Sequence, residues 1–166
     1  MVSLHDYNNF SPPFFKLRPR SDNDQYTHIN NSIYYHLFDS IINTYLIEKC
    51  GQDPARSELI GLVVSSHCEV CMPSGVTFPM KLTKPSVQFF SPLSFPEVLE
   101  LGLRVNKLGS SSAVYEVGIF KSGEEVPAAV GGYTHVFVQR NSRKSTQMLE
   151  GTRLGLAKLL NTAAKL

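Results

Sequence analysis

The residue types best suited to acid–base chemistry are concentrated in one short stretch near the N-terminal end of the chain. Asp22, Asp24 and His28 supply two carboxylates and an imidazole, and Asn30 and Asn31 add two amides. A carboxylate beside a histidine can move a proton to or from a reacting group. Because a helix is expected to begin at the two asparagines, its unpaired N–H groups and its dipole would favour negative charge that develops nearby. The stretch therefore predicts acid–base chemistry at a helix N-terminus.

A long amphipathic helix is predicted directly after these residues. Apolar side chains recur at i, i+3 and i+4 spacing over about four turns and leave only a narrow polar side. Asn30 or Asn31 is suited to cap its N-terminus, and Gly51 is placed to stop it just after Lys49. Because the apolar face is so wide, we expect a sheet to cover this helix.

Most of the remaining chain has the alternation of apolar and polar residues that is typical of strands. Strands are predicted over residues 14–18, 59–70, 87–90, 97–108, 113–120 and 128–138. Residues 1–13 have no period and are interpreted as an N-terminal arm, while residues 147–166 are predicted to be a C-terminal helix and tail. One long helix followed by antiparallel strands, within a single domain of 166 residues, indicates the α+β class.

Charge and hydropathy argue against several classes of protein. A net charge of +2 is too small for a protein whose main partner is nucleic acid or an anionic membrane. No apolar run approaches the roughly 20 residues that span a bilayer. The first residues lack the basic start and apolar core of a secretory signal. We therefore expect an intracellular protein with no membrane span and no nucleic-acid partner.

The three cysteines do not indicate a disulfide framework, since their number is odd. Cys68 and Cys71 have the C-x-x-C spacing, but they fall in or beside a predicted strand, where a spacing of three puts two thiols on opposite faces. Together with His67 they are still too few for a tetrahedral zinc site. We expect these two residues and Cys50 to be reduced thiols, with no metal site.

The order and spacing of five polar residues carry a resemblance to a known family. Asp24, His28, Asn30, Asn31 and Tyr34 resemble the signature of the hot-dog-fold acyl-CoA thioesterases of the 4-hydroxybenzoyl-CoA thioesterase type. That signature is an Asp, three residues, a His, one residue, Asn-Asn and a Tyr three further on. The resemblance implies a hot-dog fold, in which an antiparallel sheet wraps around a long central helix. It also implies a homodimer or homotetramer with sites between two chains.

The resemblance implies a reaction and the residues that perform it. A fatty or aromatic acyl-CoA would be hydrolysed to a free acid and CoA, with Asp24 as general base on water or as nucleophile. His28 and Asn30 would orient the water or the thioester carbonyl, and helix-start N–H groups would stabilise the oxyanion. Asn31 and Tyr34 would hold the loop and pack beside the substrate. No cofactor is implied, because CoA is part of the substrate.

Basic and hydroxyl residues elsewhere in the chain are candidates for binding the CoA phosphates. Arg140, Arg143 and Lys144 follow the last predicted strand, and such residues bind phosphate through charge-assisted hydrogen bonds. Lys107 and Ser111 flank or lie in a Gly-Ser turn, whose backbone N–H groups suit an anion. The simpler interpretation of each residue is a position in a solvated turn.

Two other functions remain open from the residues alone. One is a hot-dog hydratase or dehydratase that acts on an enoyl or 3-hydroxyacyl thioester, although the differently spaced Asp and His of such enzymes are not found here. The other is a non-catalytic protein that binds acyl-CoA and has lost turnover. In that case the substitution Asp24→Asn would change neither binding nor hydrolysis.

The last three residues are a candidate targeting signal. Ala164, Lys165 and Leu166 resemble the Ser-Lys-Leu type of peroxisomal address, which an import receptor reads at the C-terminus. We expect the peroxisomal matrix if the source is eukaryotic and the cytoplasm otherwise. Acyl-CoA chemistry would fit the first of these compartments.

Overall fold

The described part of the chain forms one long helix, one short helix and an antiparallel sheet. A computed structural model describes residues 10, 16–17, 29–70, 93–94 and 96–160. In chain order the elements are β1 (Lys16–Leu17), α1 (Asn31–Cys50), β2 (Leu59–Val70), β3 (Leu99–Leu108), β4 (Ser112–Lys121), β5 (Ala129–Gln139) and α2 (Glu150–Ala157). This arrangement confirms the predicted α+β class. The strand predicted at 87–90 and all but one residue of the predicted N-terminal arm lie outside the described residues.

Helix α1 begins and ends where its capping residues predict. The side-chain oxygen of Asn30 accepts a hydrogen bond from the Ser32 N–H at 3.0 Å, which caps the first turn. At the other end Gly51 has a φ of 64°, in the left-handed region that favours glycine, and closes the last turn. The 20 residues between these caps make a helix about 30 Å long. Its two ends are therefore far apart in the molecule.

The sheet has the strand order β1-β3-β4-β5-β2, and every described pair of neighbouring strands is antiparallel. Strand β2 forms one edge and pairs with β5 along its whole length, with Leu59 opposite Gln139 and Val70 opposite Ala129. Of strand β1 two residues, Lys16 and Leu17, are described, and they pair with the start of β3. Among the described strands, β2 therefore stands at one end of the order and β1 at the other.

The core lies between α1 and the inner face of β3, β4 and β5. Alternate residues of these strands are buried there, as period-two alternation predicts. The largest fully buried side chains are Tyr115, Phe38, Phe137, Ile41, Ile42, Leu93, Leu101, Leu103, Ile119 and Leu156. They join one apolar cluster that connects α1, three strands and α2. The wide apolar face of α1 is thus covered by the sheet.

The C-terminal helix is shorter than the segment in which it is predicted. Helix α2 begins at Glu150 rather than at 147 and ends at Ala157. Beyond that point the carbonyl of Leu159 accepts a hydrogen bond from the Val105 N–H at 2.8 Å, so the chain joins the sheet instead of continuing the helix. Leu149, the residue before α2, is exposed. The helix therefore starts three residues later than predicted, and a tertiary contact with β3 follows its end at Ala157; residues 161–166 lie outside the described residues.

Candidate active site

The N-terminus of α1 is held by two sets of hydrogen bonds. The side-chain oxygen of Asn30 accepts a hydrogen bond from the Ser32 N–H, and its backbone carbonyl accepts one from the Ile33 N–H at 2.9 Å. The preceding residue, Ile29, donates its N–H to the carbonyl of Leu93 at 2.9 Å. The helix start is therefore fixed both by its own cap and by a distant part of the chain. The oxygen of the Asn30 side chain is occupied in this role.

The other residues of the predicted catalytic group are only partly described. Asp24 and His28 lie outside the described residues, and so does the side chain of Asn31. Asn31 itself is the first residue of α1. The described chain resumes at Ile29, so any catalytic group contributed by Asp24 and His28 adjoins the helix start in sequence. Their contacts stay predictions.

Tyr34 lies in the core cluster one turn into α1, where its side chain is only 4% exposed. Burial raises the pKa of its phenol well above the ordinary value, and the nearby Cys68 and Glu97 raise it further. Tyr34 is therefore a neutral, packed side chain. This position agrees with the packing role predicted for it and leaves a contact with substrate as a prediction.

Aromatic rings line the sheet beside the first half of α1. The Tyr133 hydroxyl donates to the backbone carbonyl of Tyr35 at 2.5 Å, and the two rings are parallel with centroids 6.4 Å apart. Phe38 meets both rings edge-on. Gly131 permits this close approach, since a Cβ there would lie 2.7 Å from the Phe38 ring and 2.5 Å from the His67 carbonyl. The helix start thus adjoins an aromatic wall.

A buried histidine that the sequence analysis did not single out lies next to this wall. His135 is 2% exposed, and burial lowers the pKa of its imidazole to about 4, although the nearby Asp39 raises it in part. Its ring is edge-on to that of Tyr115, with centroids 5.1 Å apart. Within the described part of the chain, neither the His135 Nδ1 atom nor the Tyr115 hydroxyl has a hydrogen-bond partner. Its inward position in an alternating strand was the signal available in the sequence.

The described cysteines have the character predicted for them. Cys50 and Cys68 are free and half-buried, and burial raises the pKa of the Cys50 thiol to about 11 despite the opposing effect of Lys158. Cys71 lies outside the described residues. Among those that are described, no cluster of three or more His, Cys, Asp or Glu side chains has the arrangement of a metal site.

The predicted phosphate-binding residues near the end of β5 form a tight turn. Arg140 is committed to the chain itself, since its guanidinium donates to the Ser57 carbonyl at 2.9 Å and to the Pro54 carbonyl. Arg143 has a φ of 57° and is exposed, as is Lys144. Arg140 therefore holds the α1–β2 connection in place, while the next two basic residues present their charges to solvent.

A cavity of about 310 Å³ lies beside this turn. The residues that line it are Arg56, Ser57, Glu58, Gln139, Arg140 and Asn141. Two guanidinium groups, an amide pair and a single carboxylate give it a polar lining that suits an anion better than an acyl chain. The cavity lies where β2 begins and β5 ends.

Lys107 and Ser111 lie at this same end of the sheet. The carbonyl of Ser111 accepts a hydrogen bond from the Phe137 N–H at 2.8 Å, which joins the β3–β4 turn to the last residues of β5. Lys107 is exposed one residue before β3 ends. All five predicted phosphate-binding residues thus cluster near the C-terminal end of α1, about 30 Å along the helix from Asn30. One chain does not bring them to the helix start.

The described part of the chain contains no helix that is long and apolar enough to cross a membrane. The C-terminal Ala164, Lys165 and Leu166 lie outside the described residues. The targeting signal that they resemble remains a prediction.

Two comparisons with known proteins agree with this fold. The sequence matches the family model of the thioesterase superfamily over residues 26–128. The architecture, with its long helix against an antiparallel sheet, matches the class of hot-dog thioesterases. The chain belongs to the thioesterase superfamily and is a thioester hydrolase with the hot-dog fold of acyl-CoA thioesterases. No curated protein sequence matches this chain.

Several solved structures are similar over four fifths of the chain or more. The PA5185 protein of Pseudomonas aeruginosa strain PAO1 is 36% identical, with a TM-score of 0.78, over 94% of this chain and 96% of that one. Slr0204, a 1,4-dihydroxy-2-naphthoyl-CoA thioesterase from Synechocystis, is 10% identical, with a TM-score of 0.67, over 90% and 98% of the two chains. DHNA-CoA thioesterase from Staphylococcus aureus is 17% identical, with a TM-score of 0.61, over 80% and 78%. The last two likenesses show the fold alone.

Proposed function

We propose that the protein hydrolyses a fatty or aromatic acyl-CoA to a carboxylic acid and CoA, and that Asp24 is the general base or nucleophile. The observation that carries the proposal is the aromatic wall beside the fixed N-terminus of α1. Tyr35, in the second turn of α1, is 36% exposed and stacks on the buried ring of Tyr133, so an acyl group beside the helix start would meet an aromatic side chain. The thioesters in the names of the Synechocystis and Staphylococcus aureus structures are consistent with such a substrate.

The hydrogen bonds of the cap suggest which N–H group meets the oxyanion. Ser32 and Ile33 both donate to Asn30, so the N–H of Asn31 is the helix-start donor that we expect to face the substrate. Water adds to the thioester carbon as Asp24 takes its proton. The tetrahedral oxyanion then collapses, the C–S bond breaks, and the proton passes to the CoA sulfur. If Asp24 attacks directly, a mixed anhydride forms first and water then hydrolyses it.

We further propose that the phosphates of CoA are bound by a second copy of the chain. Arg143, Lys144, Lys107 and Ser111 are too far from Asn30 to serve the same thioester within one chain. Strand β2 offers a way to bring the two groups together. Its four successive residues 63–66 are exposed, and Val63 and Val64 are 49% and 58% exposed. A long exposed strand of this kind is a site for strand pairing.

Antiparallel pairing of two β2 edges about a two-fold axis near Val64 would place the start of one β2 beside the end of the other. The start of β2 adjoins the basic turn, because the Arg140 N–H donates to the Glu58 carbonyl at 2.7 Å. The end of β2 adjoins the first half of α1, because Cys68 pairs with Gly131 of β5, against which the ring of Phe38 packs. We therefore propose a homodimer, alone or as half of a homotetramer, with two composite sites.

The first experiment measures CoA release with a thiol reagent on a panel of short, long and aromatic acyl-CoAs. General base catalysis contributes about 10²–10⁴-fold, so we expect Asp24→Asn to lower kcat at least a hundredfold. Asp22→Asn is the matched control, since it removes a neighbouring carboxylate and is expected to retain most of the activity. Turnover that is insensitive to Asp24→Asn would contradict the assigned role. Binding of acyl-CoA without turnover would indicate a non-catalytic binding protein.

A second experiment tests the composite site with a mixed dimer. One chain carries Asp24→Asn, and the other carries Arg143→Ala with Lys144→Ala; different affinity tags isolate the mixed species. If the phosphates are bound by the partner, one site of the mixed dimer combines an intact Asp24 with intact Arg143 and Lys144. The mixed dimer then keeps the wild-type KM at about half the wild-type kcat. If they are bound by the same chain, the only active site lacks the basic residues and KM stays high. The second result would contradict the composite site.

We also propose that Ala164, Lys165 and Leu166 direct the protein to the peroxisomal matrix when the source is eukaryotic. A fluorescent protein fused to the N-terminus, with and without these three residues, tests this in a eukaryotic cell. A punctate peroxisomal distribution that is lost on deletion is expected. A diffuse distribution of both fusions would contradict the proposal.

A further inference from the structure

The turn that precedes β3 closes on itself through the side chain of Glu97. The Ser94 N–H donates to the Glu97 Oε2 atom at 2.9 Å, and the Glu97 N–H donates back to the Ser94 carbonyl at 2.9 Å. The spacing Ser-x-x-Glu is that of a capping box, in which a glutamate reaches back to the N–H three residues before it. Here the chain continues into β3 at Leu99 rather than into a helix. The two reciprocal bonds therefore fix the turn itself.

The second carboxylate oxygen of Glu97 anchors this turn to the sheet. Its Oε1 atom lies 2.7 Å from the Lys121 Nζ atom, and both side chains are half-buried. Lys121 is the last residue of β4 and lies opposite Leu99 in the strand register. The Ser122 N–H also donates to the Val98 carbonyl at 2.8 Å. Glu97 thus connects the turn to a strand that the core holds in place.

The same turn holds the start of α1 through a single peptide group. The Ile29 N–H donates to the Leu93 carbonyl at 2.9 Å, and both residues are buried. That carbonyl and the Ser94 N–H belong to one peptide unit, which is planar. The carboxylate of Glu97 therefore binds one side of this unit, and the residue before the N-cap binds the other side. Because the plane is rigid, a rotation that misaligns one of these bonds misaligns both.

We propose that Glu97 is a positioning residue for the proposed active site, because it orients the peptide that fixes the start of α1. Ile29 is followed at once by the N-cap Asn30 and then by Asn31, whose N–H is expected to face the thioester oxygen. The bond from the Ser94 N–H to the carboxylate is charge-assisted and hence stronger than one between neutral groups. It also polarises the peptide, which strengthens the bond on its carbonyl side. Glu97 touches no reacting atom and acts through this peptide.

The kinetic test, which rests on the proposed function, compares three variants. Displacements of about 1 Å can cost up to a hundredfold in rate, so we expect Glu97→Ala to lower kcat about tenfold or more with KM within about twofold. Glu97→Gln keeps an oxygen that can accept from the Ser94 N–H and should restore most of the kcat. Glu124→Ala removes an exposed carboxylate from the turn after β4 and is the matched control, expected at the wild-type rate. An unchanged kcat in Glu97→Ala, or a loss of equal size in Glu97→Gln, would overturn the proposal.

Hydrogen exchange of single amides, followed by NMR, supplies a readout that does not depend on turnover. In Glu97→Ala the amides of Ser94 and Ile29 should exchange about tenfold faster or more, while those of β4 and β5 keep the wild-type rate. In Glu97→Gln the exchange of the Ile29 amide should return towards the wild-type rate. A wild-type rate at Ile29 in Glu97→Ala would overturn the proposal. Absence of turnover in the wild type would overturn the proposed function alone, and exchange at Ile29 would still decide whether Glu97 fixes the helix start.

Discussion

At the scale of single residues, His135 shows how burial changes a titratable group. The imidazole is packed among rings and is neutral over most of the physiological range, because its pKa lies near 4. Tyr115, which faces it, also has a pKa raised by burial. Neither polar atom at this contact has a partner among the described residues. Protonation of the His135 imidazole would therefore destabilise the folded state, because the resulting positive charge would be buried.

The stability of the protein is expected to fall as the pH is lowered through this range. The unfolded histidine has a pKa near 6.5 and the folded one near 4, so the unfolded state binds more protons between these values. The contribution is fully present above pH 6.5 and is lost on the way to pH 4, by up to roughly 3 kcal/mol. Urea unfolding at pH 7 and 4.5 measures it. His135→Phe should lose less stability than the wild type between these pH values; an equal loss would contradict the assignment.

Two glycines are expected to respond in opposite ways to the same substitution. Gly131→Ala places a methyl group against the Phe38 ring and the His67 carbonyl and should destabilise the protein by about 1–3 kcal/mol. Gly151→Ala meets nothing within 4 Å and lies in α2, so it should be neutral or stabilise by up to about 1 kcal/mol. Denaturant titration of both variants checks this. Equal effects would mean that the close approach of α1 to β5 is not as described.

At the scale of elements, α2 is fastened by polar contacts rather than by its length. The Thr152 hydroxyl donates to the Gln52 side-chain oxygen at 2.7 Å, and the Gln52 amide donates to the Leu59 carbonyl at 2.7 Å. The Tyr45 hydroxyl of α1 donates to the Gly155 carbonyl at 2.8 Å. These buried bonds connect α2 to the end of α1 and the start of β2. They explain how an eight-residue helix is held.

Removing one of these bonds should be costly. Thr152→Val keeps the shape of the side chain but leaves a buried oxygen of Gln52 without its donor, so we expect a loss of about 1–3 kcal/mol. Ser142→Ala removes an exposed hydroxyl and is the matched control, expected within about 0.5 kcal/mol of the wild type. Thermal unfolding at a fixed protein concentration compares them. A neutral Thr152→Val would show that water replaces the bond.

At the scale of the whole molecule, strand β2 forms the interface of the proposed dimer. Val64→Glu would place like charges near the two-fold axis and should convert the dimer to a monomer. Val126→Glu changes an exposed valine before β5 and should leave the dimer intact. Light scattering coupled to gel filtration measures the mass. If the composite site is correct, the monomer also loses most of its kcat/KM; a fully active monomer would contradict it.

The amino-acid sequence by itself determined the helix α1, the alternating strands and the family. Asn30 and Gly51 set the ends of α1 through contacts within a few residues, and period-two alternation specifies β2 to β5 locally. Such signals act over one or two turns of chain, so they can be predicted without the fold. The spacing of residues from Asp24 to Tyr34 likewise pointed to thioesterases, which the family match confirms.

Only the tertiary structure decided which polar groups share a site. It placed Arg143 and Lys144 at the opposite end of α1 from Asn30, buried His135, ended α2 at Ala157 and put the turn of Glu97 beside the helix start. Each of these outcomes depends on which faces meet across tens of residues of chain. Local periodicity does not specify which faces pack together, because packing and strand order bring together residues that are distant in sequence.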